Sequence, residues 1–131
     1  MKNYTLDHVH LNSLTPFETA QWFADNFGAE VINPWTDDNG IAHVVVNLKG
    51  ANIFVKGPTV NPPAESGGSS IYGIEHFSFH TDDIEGSVAD LKSKGIKFDL
   101  DVSPTLLPNI RHAFLRGPDN ILIELLERKN A

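Results

Sequence analysis

The chain spells one pattern twice. Residues 6–31, LDHVHLNSLTPFETAQWFADNFGAEV, and residues 74–98, IEHFSFHTDDIEGSVADLKSKGIKF, each open with an apolar residue, an acid and a histidine. Each then alternates apolar and polar for a few residues, the period of a half-buried strand. Each continues into a helical pattern that stops at a glycine, Gly28 or Gly95. The second part of each half also matches. Residues 41–58, IAHVVVNLKGANIFVKGP, and residues 110–127, IRHAFLRGPDNILIELLE, both read as two strands around a turn, with His43 and His112 in matching places.

The repeat predicts an α+β chain of two β-α-β-β-β modules, residues 1–57 and 73–131, within a single domain spanning 1–131. Strands are expected near 4–12, 30–35, 41–48, 51–57, 73–80, 96–102, 110–116 and 120–127, and helices near 15–27 and 83–94. Residues 58–72 are rich in Pro, Gly and Ser and read as a linker. One such module buries little by itself. Two curved sheets side by side would form a cup with helices outside, the halves pairing within one chain or across a homodimer.

Local signals agree. Thr15, Pro16 and Glu18 suggest a capping box with proline at the first helical position. Phe17, Ala20, Phe23, Ala24 and Phe27 form the apolar stripe of that helix. Asp82 or Asp83 would cap the second helix, with Val88 and Leu91 in the core. Trp22 reads as packing, while Trp35 belongs at the cup's rim or at an interface.

The chain has no cysteine, which removes disulfides, thiolate metal sites and a cysteine nucleophile. A formal net charge of -7 disfavours nucleic acid as a partner. No apolar run is long enough to span a membrane, and the first residues show no signal-peptide pattern, so a cytoplasmic protein is expected.

Side chains alternate along a strand, so residues of equal parity share a face. That groups His8, His10 and Asn12 on the first strand, His76, Ser78 and His80 on the fifth, and Leu122, Glu124 and Leu126 on the last. Glu124 is a carboxylate inside an apolar run, and a buried carboxylate needs a cation or hydrogen bonds. His8, His76 and Glu124 form a ligand set for one divalent metal (Zn, Ni, Fe, Mn or Co). His10 and His80 would then be acid/base groups lining the cup, or would bond neighbouring strands and face water. His112 and Lys56 are candidate substrate contacts, though Lys56 also reads as a solvated edge lysine.

These residues resemble the vicinal oxygen chelate superfamily, which includes glyoxalase I, methylmalonyl-CoA epimerase, extradiol dioxygenases, fosfomycin-resistance transferases and bleomycin-resistance proteins. LDHVHLNS and GIEHFSFHTDD are similar to its module-opening strands, and FLRGPDNILIELLE to its closing hairpin. The resemblance implies metal ligands at His8, His76 and Glu124. It also implies a fourth, on the last strand of the first module, that falls on Phe54 or Lys56; neither is an ordinary ligand. Phe54 is therefore carried as a substrate-binding candidate.

The implied activity is that of a glyoxalase-like lyase or isomerase. Its small substrate would have adjacent oxygens, and a metal-stabilised enolate would carry the chemistry. An Fe(II) ring-cleaving dioxygenase is the alternative with the same metal set. A metal-free binding protein that sequesters a small molecule is the alternative of another class.

Overall fold

A computed structural model describes residues 2–3, 5–58 and 74–129. The expected linker 58–72 lies, apart from Pro58, outside the described residues. Contacts divide the chain into two compact units, Met1–Pro63 and Ala64–Ala131. The first holds β1 (His8–Asn12), α1 (Pro16–Phe27), β2 (Glu30–Thr36), β3 (Ala42–Leu48) and β4 (Ala51–Lys56). The second holds β5 (Phe77–His80), α2 (Ile84–Ser93), β6 (Phe98–Pro104), β7 (Ile110–Arg116) and β8 (Leu122–Arg128).

Each unit is one four-stranded sheet with one helix. The strand orders are β1-β4-β3-β2 and β5-β8-β7-β6, with the first pair parallel and the others antiparallel in both. The helix packs on one face because parity gathers the apolar residues there. In the first unit Val44, Val46, Ile53 and Val55 are buried with Ala20 and Phe23 of α1. In the second, Ala113, Leu115, Ile123 and Leu125 are buried with Ile84, Val88 and Leu91 of α2.

Several strands start later than expected, β6 at Phe98 among them. β1 begins at His8 rather than near residue 4, and β5 begins at Phe77, so His76 stands just before its strand. Parallel pairing sets both limits: β1 pairs from His8↔Asn52 and β5 from Phe77↔Ile123. β8 starts at Leu122 because Pro118–Asn120 form a short 3-10 turn, with Asp119 and Asn120 left-handed at φ 57° and 62°. Asp and Asn tolerate that conformation better than other side chains.

The helix starts correct a second expectation. Thr15 is the N-cap of α1, yet its side chain makes no capping bond. The work falls to Ser13, whose Oγ accepts from Thr15 N at 3.1 Å and lies 2.7 Å from Thr19 Oγ1. The second unit repeats the device: Thr81 Oγ1 accepts from Asp83 N at 3.2 Å and lies 2.6 Å from Ser87 Oγ. A hydroxyl pair thus clips the end of the opening strand to the helix in both halves. Asp83 also caps through its side chain, accepting from Gly86 N at 3.0 Å. Phe17, expected in the apolar stripe, is exposed; the buried face of α1 runs instead through Pro16, Thr19, Ala20 and Phe23.

Among the described residues Glu127 is the most buried acid, at 2% exposure, on the helix-covered face. Its Oε2 accepts from Ile84 N at 3.0 Å, so a strand residue caps α2. Its Oε1 accepts from Arg111 at 3.1 and 2.9 Å. The backbone bond from Ile84 and the Arg111 guanidinium hold its carboxyl below the usual range.

Candidate metal and substrate site

The face opposite the helix collects the chemistry-bearing side chains. In the first unit the register sets Phe54 between His10 and Val45, and sets Lys56 between Asn12 and His43. The buried residues Val44, Val46, Ile53 and Val55 alternate with these and point to α1. In the second unit Ser78, Glu124 and Phe114 lie side by side, and His112 stands opposite Leu126. All six histidines of the chain therefore lie on the open face of one sheet or the other.

His8 and His76 are held in the same way. The Nδ1 of His8 is 2.7 Å from Asp7 Oδ2, and that of His76 is 3.0 Å from Glu75 Oε1. A carboxylate only accepts, so Nδ1 is the donor in each contact and Nε2 is left for another partner. Metal-binding histidines are oriented by this kind of bond. The sequence carried its signal in the acid that precedes each histidine.

In the second unit the Nε2 of His76 lies 3.7 Å from Glu124 Oε1. Two ligand atoms each about 2.1 Å from one ion, at angles of roughly 90–120°, stand about 3.0–3.6 Å apart. The observed separation is near that span and beyond hydrogen-bond range. An imidazole nitrogen and a carboxylate oxygen at this spacing are donors of the kind a divalent ion takes. The other oxygen, Oε2, is 3.0 Å from His112 Nδ1. The Phe114 ring meets both His76 and His112 edge-on, each at 5.2 Å. Among the described residues no group of three or more His, Asp or Glu side chains forms a metal-ligand cluster. His8 belongs to the first unit, where its ring stacks flat on Phe54 at 3.9 Å and 8°.

His10 is exposed at the edge of the first sheet, its ring 6.0 Å from those of His8 and Phe54. Desolvation, then the charges of Lys56, His8 and His43, push its pKa down. His80 is half exposed, 3.7 Å from Asp82. His43 bonds Asp37 Oδ2 through Nε2 at 2.8 Å and carries Trp35 stacked on it at 4.6 Å. The bond from His43, then the Ile41 amide, lowers the Asp37 carboxyl. Sequence reasoning passed over Asp37, although its place in the turn TDDNG, six residues before His43, allowed the contact.

The fold and these faces define a class: two β-α-β-β-β units, each with a histidine-bearing open face. The chain belongs to the Glyoxalase/Bleomycin resistance protein/Dioxygenase superfamily, whose family model matches residues 5–125. It is 25% identical over 149 residues to a lactoylglutathione lyase of Schizosaccharomyces pombe (strain 972 / ATCC 24843). That alignment covers 98% of this chain and 49% of the relative, so the chain spans about half the relative's length.

Among solved structures, a glyoxalase family protein from Enterococcus faecalis superposes with a TM-score of 0.81 at 20% identity, covering 94% of this chain and 97% of that one. The fosfomycin resistance protein FosX from Listeria monocytogenes, complexed with Mn(II) and sulfate, superposes with a TM-score of 0.71 at 18% identity, covering 98% and 95%. Both likenesses show the fold. No helix among the described residues is long and apolar enough to cross a membrane.

Proposed function

We propose that this chain is a metal-dependent enzyme of the glyoxalase kind, a lyase or isomerase acting on a small substrate with adjacent oxygens. The observation that carries the reading is the matched setting of His8 and His76. Each has Nδ1 tied to the preceding carboxylate, and in the second unit Nε2 faces Glu124. His8, His76 and Glu124 would hold one divalent ion. When bound, the ion supplies Lewis-acid polarisation of the substrate's oxygens.

The chain's own residues do the rest. Phe54 fixes the plane of His8 and offers an apolar wall. Phe114 does the same beside His76. His10 and His80 are the proton carriers at the edges of the two open faces, and Lys56 is a cation beside His43 for an anionic group. A homodimer belongs to the same reading, because each open sheet ends in edge strands, β2 and β6 among them, whose backbone groups a partner could pair.

The S. pombe relative suggests the first substrate to try. Metal-loaded protein is mixed with methylglyoxal and glutathione, whose hemithioacetal rearranges to the thioester S-lactoylglutathione. Thioester absorbance that rises with parent protein and not with Glu124→Ala supports the reading. Absence of turnover with every divalent metal tried turns the choice to the binding-protein alternative.

Phe54 favours one second reading. With no carboxylate in that place, the ligand set is two histidines and one glutamate, which suits Fe(II). Ring opening of a catechol under oxygen, dependent on ferrous ion, would select the dioxygenase.

A further inference from the structure

Glu124 stands between two histidines, and the proposed metal set uses only one of them. Its Oε1 faces His76 Nε2 at 3.7 Å, while its Oε2 lies 3.0 Å from His112 Nδ1. Glu124 and His112 are both largely buried, with side chains 11% and 22% exposed. The contact is diagonal across β7 and β8. The register sets Glu124 opposite Phe114 and His112 opposite Leu126, so the two groups meet on the open face from adjoining rows. Phe114 lies edge-on to His112 at 5.2 Å and limits its tilt.

We propose that His112 is the positioning residue for Glu124: its Nδ1–H holds Oε2, so Oε1 stays turned toward His76 as a single-oxygen ligand. The proposal rests on the metal reading above. A free glutamate has three rotatable bonds and would lose rotamer freedom on binding an ion. A carboxylate already tied at one oxygen has lost that freedom before the ion arrives, and its free oxygen is aimed. Removing such an orienting partner weakens metal sites by about 10–100-fold. The first unit shows the contrast. His43, the repeat match of His112, turns Nε2 to Asp37, and Phe54 replaces the carboxylate it could have held.

The test is Mn(II) titrated alone into the full chain, read from the EPR signal of free Mn(II). His112→Phe keeps the ring and removes the donor, and is expected to weaken binding about 10–100-fold. His112→Asn keeps a nitrogen on Cγ, where Nδ1 is attached, and is expected to restore most of the affinity. His112→Gln carries its nitrogen one bond further out and is expected to bind as weakly as His112→Phe. Melting of the metal-free variants shows that each is folded; if His112→Phe is not, the Asn and Gln variants carry the comparison. Parent-like affinity in His112→Phe, or equal affinity in His112→Asn and His112→Gln, overturns the positioning role and leaves the metal reading standing. A parent chain that binds neither Mn(II) nor Zn(II), Ni(II), Fe(II) or Co(II) overturns the metal reading, and the positioning role with it.

Discussion

Phe54 occupies in the first unit the place that Glu124 occupies in the second. Phe54 pairs with His10, two residues after His8; Glu124 pairs with Ser78, two residues after His76. The register therefore matches Phe54 to Glu124, and Lys56 to Leu126. Phe54→Glu is predicted to tighten Mn(II) binding by about tenfold, or about 1.4 kcal/mol. Unchanged affinity would mean that the repeat match does not extend to the metal.

Buried hydroxyls give a second prediction. Ser13 and Thr19 are 2% and 1% exposed and bond each other. Ser13→Ala leaves the Thr19 hydroxyl buried without that partner and removes the acceptor for Thr15 N. The expected loss is about 1–3 kcal/mol in urea unfolding. A loss below that range would show that the clip contributes little.

Glu127 makes stability depend on pH. Its folded-state pKa is depressed, so its contribution is present above the unfolded value and is lost as pH falls through the folded one. Between neutrality and pH 3 the parent should lose more thermal stability than Glu127→Gln. At neutrality the variant should melt about 5–10 °C lower, because Arg111 and the first turn of α2 lose their shared partner. Parallel melting curves against pH would contradict this.

Trp35 offers a readout of the first open face. It is 55% exposed and stacked on His43, whose other partner is Asp37. Asp37→Ala frees the His43 ring and should change Trp35 emission with little change in far-ultraviolet circular dichroism. Unaltered emission would show that Asp37 does not hold the stack.

Much of this was legible in the sequence, and for a definite reason. Strand parity is local, so the grouping of His8 with His10, and of Leu122 with Glu124, comes from spacing alone. Pairing is not local. Whether Phe54 or Lys56 matches Glu124 depends on the β1–β4 register, which no short window contains. The same limit hid Glu127. In NILIELLE, Glu124 stood out because apolar residues surround it, yet Glu127 is the more deeply buried acid, and its cation comes from Arg111 on a neighbouring strand. The Thr15–Glu18 capping box failed because Ser13, outside that motif, reached the helix start first.

The most direct test of the central claim is elemental analysis of protein purified without added metal or chelator, for the parent and for Glu124→Ala. One divalent metal per chain in the parent and none in the variant, with both melting as folded proteins, is the predicted result. A variant that holds metal as the parent does would contradict the assignment of His8, His76 and Glu124 as the ligand set.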